Sequence, residues 1–198
     1  MLARRLFVVF AVSLFVQPAQ AQHGGSGLSV SRIAPPEATQ FNFLIGQWDL
    51  VVKPAATGLA QKIHGVPKMV GTWKAWREFD GWGLEDELRI ADASGNPISL
   101  SHAMRFYDAG SKRWKSAGLD VYRGVFSNAT AQWRGSEMLL MSQGVDQGGK
   151  TYWSRGHYTG ISRDTFTFRQ ERSTDSGKTW SDNLTIEAKR AASLAPRN

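Results

Sequence analysis

The 198-residue sequence predicts an all-β protein that folds as one antiparallel meander barrel of about ten strands. Three observations support this fold class. Apolar and polar residues alternate with a period of two in many segments, which is typical of strands with one buried face. Short turns rich in Gly, Asn and Asp separate these segments, and no segment has the helical pattern of a crossover connection. Closing such a sheet into a barrel buries its apolar face and protects its edge strands.

The barrel domain is predicted to span residues 37–190, between a leader and a tail. Residues 22–36 are rich in Gly and Ser and end in two prolines, as expected of a flexible leader, and residues 191–198 form a C-terminal tail. One short helical turn at 37–44 is expected to close one end of the barrel. The predicted strands are Gln47–Lys53, Met69–Phe79, Trp82–Ala91, Ile98–Phe106, Arg113–Tyr122, Val125–Arg134, Glu137–Asp146, Thr151–Ile161, Thr165–Thr174 and Thr179–Lys189.

Residues 1–21 have the three parts of a secretory signal peptide. Arg4 and Arg5 form a basic start, residues 6–16 are apolar except for one serine, and Ala19-Gln20-Ala21 is a small-x-small cleavage signal. We expect cleavage after Ala21 and a periplasmic or secreted mature protein. The apolar run is shorter than the roughly 17–25 residues of a transmembrane helix, so no membrane span is predicted. An uncleaved anchor is the alternative.

The absence of cysteine and the distribution of charge exclude several classes of function. With no cysteines, the chain has no disulfides, no thiolate nucleophile and no Cys-containing metal site. The formal net charge is +7, but the basic residues are interleaved with acidic ones. Because no run of like charges occurs, we predict no nucleic-acid partner and no polybasic membrane patch. A mildly basic surface still attracts anionic ligands.

Residues 43–49, Phe-Leu-Ile-Gly-Gln-Trp-Asp, open the first predicted strand. This stretch resembles the Gly-x-Trp opening of the calycin-type barrels, which include lipocalins, fatty-acid-binding proteins and nitrobindin-like proteins. In particular it is similar to the start of a bacterial, secreted, lipocalin-like family of the DUF1579 type. The resemblance implies a calycin-like barrel in which Trp48 packs beneath a basic side chain near the last strand. Lys189 or Arg190 matches that partner by position.

Residues 173–180, Ser-Thr-Asp-Ser-Gly-Lys-Thr-Trp, match the Asp-box pattern. The pattern predicts a hairpin in which Asp175 accepts hydrogen bonds from turn amides, Gly177 adopts a positive φ and Trp180 packs beneath. In sialidases and other propellers this hairpin recurs in each blade. Here it occurs once and the chain has no repeat period, so we interpret it as a structural hairpin.

The candidate ligand contacts come from residues interpreted as facing the barrel interior. Alternation along the fourth strand places Ile98, Leu100, His102, Met104 and Phe106 on one face, which we take as the inner face. If Asp120 is also inside, it needs a cationic partner such as Arg105, Arg155 or Arg169. The predicted ligand-binding residues are Trp76, His102, Met104, Phe106, Asp120, Tyr122 and Tyr158.

The predicted function is to hold a small hydrophobic or amphipathic molecule, because a barrel of eight to ten strands has room for about one ligand. One alternative is an enzyme with an interior polar site, in which His102 acts as the base and Asp120 or Arg155 orients the substrate. The other is a structural or partner-binding domain without a ligand. No cofactor is expected. No metal is expected either, because His64, His102 and His157 lack metal-ligand spacing. The oligomeric state is left open.

Overall fold

The computed structural model describes residues 33–146 and 148–192. The predicted signal peptide, most of the predicted leader and the end of the tail lie outside the described residues. Within those ranges, no helix has the length and apolar character needed to cross a membrane.

Ten antiparallel strands form a closed barrel, which confirms the predicted fold class. Each strand pairs with its neighbours in the chain, and the last strand closes the barrel against the first. The strands are β1 (Gly46–Pro54), β2 (Met69–Glu78), β3 (Gly83–Asp92), β4 (Pro97–Asp108), β5 (Arg113–Asp120), β6 (Val125–Arg134), β7 (Glu137–Val145), β8 (Thr151–Thr159), β9 (Thr165–Ser173) and β10 (Ser181–Arg190).

Four short helices accompany the strands in the described part of the chain. Two 3-10 helices, Pro36–Thr39 and Asn42–Leu44, occupy the region of the predicted helical turn, and a third, Phe79–Gly81, joins β2 to β3. Helix α1 (Leu59–His64) lies in the loop after β1 and was not predicted. Its six residues are too few to show a helical period in the sequence.

The 3-10 helices and the first residues of β1 form the closed end of the barrel. Trp48 is fully buried and its Nε1 donates to the carbonyl of Leu44 at 2.8 Å. The guanidinium of Arg190 lies over the indole, with its Cζ 4.1 Å from the ring centroid, so Arg190 is the basic partner that the resemblance implied. Gly46 has φ +122°, and an added Cβ would lie 2.4 Å from Arg190 Nη1, so this position requires glycine.

Aromatic side chains fill the interior at the closed end. Phe41, from the segment between the two 3-10 helices, makes an edge-to-face contact with Trp114 at 4.8 Å between ring centroids. Tyr158 and Phe166 pack against the same group and are 1% and 2% exposed. Such rings bury a large apolar area in preferred geometries, so this half of the barrel is a packed core.

The Asp-box residues form the predicted hairpin between β9 and β10. Asp175 Oδ1 accepts from the amides of Lys178 (3.1 Å) and Thr179 (2.9 Å), and Gly177 has φ +85°. Trp180 Nε1 donates to the carbonyl of Gly177 at 3.0 Å. The bond from the Thr179 hydroxyl and these amide bonds lower the pKa of Asp175. The structural interpretation of the motif is confirmed.

Candidate functional site

The register between β3 and β4 decides which residues of β4 face the barrel interior. Ala103 lies opposite buried Asp86, and Arg105 lies opposite buried Leu84. Residues directly opposite each other in a ladder share a face, so the odd-numbered residues of β4 point inward. The prediction that His102, Met104 and Phe106 face the interior is therefore wrong.

Trp76, His102, Met104 and Phe106 lie on the outer surface instead. Trp76, Met104 and Phe106 are 37%, 43% and 44% exposed. The His102 ring lies 5.8 Å from that of Trp76, and its Nε2 is 3.2 Å from Glu85 Oε2. The interior placement predicted for Trp76 is thus also wrong, and His102 does not share the inner face with Asp120 as the alternative of an interior enzyme site requires. Alternation shows that a strand has two different faces, but it does not show which of them is inside. On β4 the more apolar face is the outer one.

The other three predicted residues have three different environments. Asp120 lies opposite inward-facing Ser101 and accepts from Arg123 Nη2 at 2.6 Å and Arg123 Nε at 2.8 Å. Its partner is therefore neither Arg105, Arg155 nor Arg169. Burial raises the pKa of Asp120, but the hydrogen bonds from Arg123 lower it overall.

Tyr122 lies in the turn after β5 and is 53% exposed. Tyr158 faces inward as predicted but belongs to the packed core, where burial raises its pKa to about 12. A ligand would have to displace that core to reach it.

An ion pair crosses the interior where the packed core ends. Arg105 Nε donates to Asp86 Oδ2 at 2.5 Å, and Arg105 Nη2 donates to Asp86 Oδ1 at 3.2 Å. Trp73 Nε1 donates to Asp86 Oδ1 at 2.9 Å. Burial lowers the pKa of Arg105, but the charge of Asp86 raises it overall. Both charged groups are paired, so the cluster is a structural layer of the core.

In the opposite half of the interior, which we call the open half, the inward-facing side chains of β4 to β8 are mainly small. One row of the ladder places Ala103, Gly118 and Ser127 side by side on β4, β5 and β6. A second row runs from Arg105 on β4 to Arg172 on β9. Its members between the two arginines are Ser116, Ala129, Ser142 and Ser154. Small side chains on adjacent strands leave space that large ones fill at the closed end.

The open half is also accessible from outside the barrel. Inward-facing Ser127 is exposed to solvent. In helix α1, which follows β1 at this end, Leu59 and Ile63 are 74% and 67% exposed, so these two side chains are not buried against the barrel. A cavity of about 320 Å³ lies at the rim of β2 to β4, where outward-facing Thr72 and Arg89 line it together with Ile90 and Ser99.

Arg172 is a second charged group of the open half, besides Asp120, and it was missed in the sequence. It shares a face of β9 with buried Phe166 and Phe168, so its side chain enters the interior. The Cζ atom of Arg172 lies 4.3 Å from the ring centroid of Tyr152. Its Nε is buried and has no hydrogen-bond partner among the described residues. The alternation Phe-x-Phe-x-Gln-x-Arg along β9 is the sequence signal that points to it.

The outer face of β7, β8 and β9 has a separate ionic network. His157 Nδ1 is 3.0 Å from Glu137 Oε2, and His157 Nε2 is 3.0 Å from Glu171 Oε2. Arg155 also donates to Glu171, and it stacks on the Asp-box Trp180. Hydrogen bonding from Arg155 lowers the pKa of Glu171 to about 2, against the opposing effect of burial. Within 33–146 and 148–192, no cluster of three or more His, Asp or Glu residues is arranged to hold a metal ion.

Comparison with known proteins supports the fold. Neither a protein-family model nor a curated protein matches the sequence. Among solved structures, the chain is similar to the S-type phycobiliprotein lyase CPES from Guillardia theta, with a TM-score of 0.50 and 11% identity over 78% of this chain and 92% of that one. It is also similar to Rv2717c from M. tuberculosis (TM-score 0.45, 11% identity, 81% and 100% covered). A redesigned β-barrel, mFAP0, bound to DFHBI has a TM-score of 0.40 and 11% identity, with 75% and 99% covered. At 11% identity the similarity to the lyase shows the fold alone.

Proposed function

We propose that this protein binds a small amphipathic molecule in the open half of its barrel. The observation that carries the proposal is the row of small inward-facing residues on β5 to β8, in contrast to the large side chains that fill the closed end. Ligand sites are typically preformed, largely apolar cavities with a few polar groups that orient the ligand.

The lining of the open half matches both parts of such a ligand. Leu88 and Ile90 lie opposite inward-facing Trp73 and Gly71 and supply apolar contact area. Ser142 and Ser154 supply hydroxyls that make no hydrogen bond with other described residues. A ligand with an apolar body and a polar group fits this combination better than a pure hydrocarbon does.

We further propose that the protein belongs to a secreted, DUF1579-like family and acts in the periplasm. The Gly-x-Trp opening at residues 46–48 and the signal-peptide pattern at residues 1–21 support this assignment. The intact mass of the periplasmic protein tests export, and we expect a chain that begins at Gln22. A mature protein that still begins at Met1 would contradict it.

Ligand binding is tested by filling the cavity. Ser142→Phe adds a ring on the inner face of β7, between Ala129 and Ser154. We expect binding of a fluorescent fatty-acid or retinoid-like probe to weaken at least tenfold, or about 1.4 kcal/mol, because the ring occupies the ligand volume. Gln143→Phe adds the same ring at the next residue, on the outer face, and is the matched control.

The proposal requires probe uptake by the wild-type protein, loss of uptake in Ser142→Phe and retention in Gln143→Phe. If the wild-type protein takes up none of these probes, the ligand-binding function fails. A partner-binding domain is then favoured, because Met104 and Phe106 form an exposed apolar surface on the outer face of β4. Equal loss in both variants would show that the ring perturbs the strand itself.

A further inference from the structure

Arg172 differs in its pairing from Arg105 on β4, Arg155 on β8 and Arg169 on β9. Arg105, Arg155 and Arg169 each contact a carboxylate within 3 Å. Arg172 has no carboxylate within 4.0 Å in the described part of the chain, and its Nε is buried without any hydrogen-bond partner. Buried polar groups in native proteins are nearly always paired, so an unpaired donor beside the small residues of the open half indicates a missing acceptor.

The surroundings of Arg172 restrict what that acceptor is. Tyr152 stacks against the guanidinium at 4.3 Å, which covers one face of the group and leaves its edge for hydrogen bonds. The edge of a guanidinium presents parallel N–H donors that match the two oxygens of a carboxylate. Ser154, directly opposite Arg172 in the ladder, lies on the same inner face.

We propose that Arg172 binds the carboxylate of the ligand held in the barrel. This inference rests on the proposed function and specifies its ligand class as amphipathic carboxylic acids. Leu88 and Ile90 face inward on β3, whereas Arg172 lies on β9. They provide apolar contacts for the rest of such a molecule. The formal net charge, +5 after Arg4 and Arg5 are removed from the +7 of the full sequence, favours the approach of an anion to the barrel.

The test compares a fluorescent long-chain fatty acid with its methyl ester, which has the same apolar body and no charge. We expect the wild-type protein to bind the acid at least tenfold more tightly than the ester. Arg172→Gln should weaken acid binding about tenfold, equivalent to about 1.4 kcal/mol, and leave ester binding unchanged. Arg134→Gln removes the same charge from the exposed outer face of β6 and should preserve both affinities.

Arg172→Lys separates geometry from charge, because an ammonium group retains the charge but lacks the planar fork. We expect it to recover part of the preference for the acid. If Arg172→Gln and Arg172→Lys bind the ester as tightly as the wild-type protein does, the substitutions have not changed the shape of the site.

Two results would overturn the role of Arg172 while leaving the proposed function intact: equal binding of acid and ester by the wild-type protein, or an equal loss of both in Arg172→Gln. A wild-type protein that binds neither probe contradicts the proposed function as well.

Discussion

The two halves of the barrel interior are built from the same ten strands but differ in the volume of their side chains. At the closed end, Trp48, Trp114 and Tyr158 are at most 1% exposed and interlock around the 3-10 helices. In the open half, the equivalent inward positions of β5 to β7 include Gly118, Ala129 and Ser142. The difference shows that one continuous sheet carries large inward side chains at one end and small ones at the other, so the two ends differ in how side chains fill the interior.

The largest effect is expected at the closed end. Trp48→Ala removes a fully buried indole, its hydrogen bond to Leu44 and the surface on which Arg190 stacks. We expect the free energy of unfolding to fall by about 3–5 kcal/mol, as is usual when a large core residue is truncated. Urea denaturation measures this change. A loss below about 1 kcal/mol would show that Trp48 does not anchor the closed end.

The next effect is expected on the outer face of β9. There Glu171 accepts a hydrogen bond from Arg155 and contacts His157. Its pKa is lowered from 4.5 to about 2 in the folded protein. The stabilisation is therefore complete above about pH 4.5 and is lost as the pH falls to about 2. It amounts to at most about 3–4 kcal/mol, since one pKa unit corresponds to about 1.4 kcal/mol.

The variant Glu171→Gln should flatten the dependence of unfolding free energy on pH between about 4.5 and 2, because the titrating carboxylate is gone. Urea denaturation of wild type and variant across this range gives the two curves. Parallel curves would contradict the role assigned to the carboxylate.

A smaller effect is expected where the interior is open. Ala129→Leu adds three carbons between Ser116 and Ser142. Overpacking a filled core typically costs about 1–3 kcal/mol, whereas space beside small neighbours accepts the added atoms. We expect a change in unfolding free energy below about 1 kcal/mol, together with weaker probe binding. A loss above about 2 kcal/mol would indicate that this half is as tightly packed as the other.

The smallest effect is expected on the outer surface. His102→Phe changes a side chain that contacts Glu85 and Trp76 outside the barrel. Probe affinity should be unchanged and unfolding free energy should shift by no more than about 0.5 kcal/mol. Fluorescence titration and urea denaturation check the two quantities. A tenfold loss of probe binding would restore His102 to the ligand site.

Local patterns in the sequence predicted much of this architecture. The observed β6 (Val125–Arg134) has the predicted bounds, and the Asp-box hairpin forms as its residues indicate. These features depend on neighbours close in the chain, namely turn residues and period-two alternation, which act within one segment. The position of Trp48 at the closed end followed from its resemblance to the Gly-x-Trp opening.

The tertiary structure alone decided which face of each strand is inner. On β4 the more apolar face, with Met104 and Phe106, lies outside, and Arg105 lies inside because Asp86 on the neighbouring strand neutralises it. Likewise, the carboxylate-binding role proposed for Arg172 depends on its inward position on β9, opposite Ser154 of β8. A one-residue difference in register exchanges the two faces of a strand, and register is fixed by pairing between strands rather than within one.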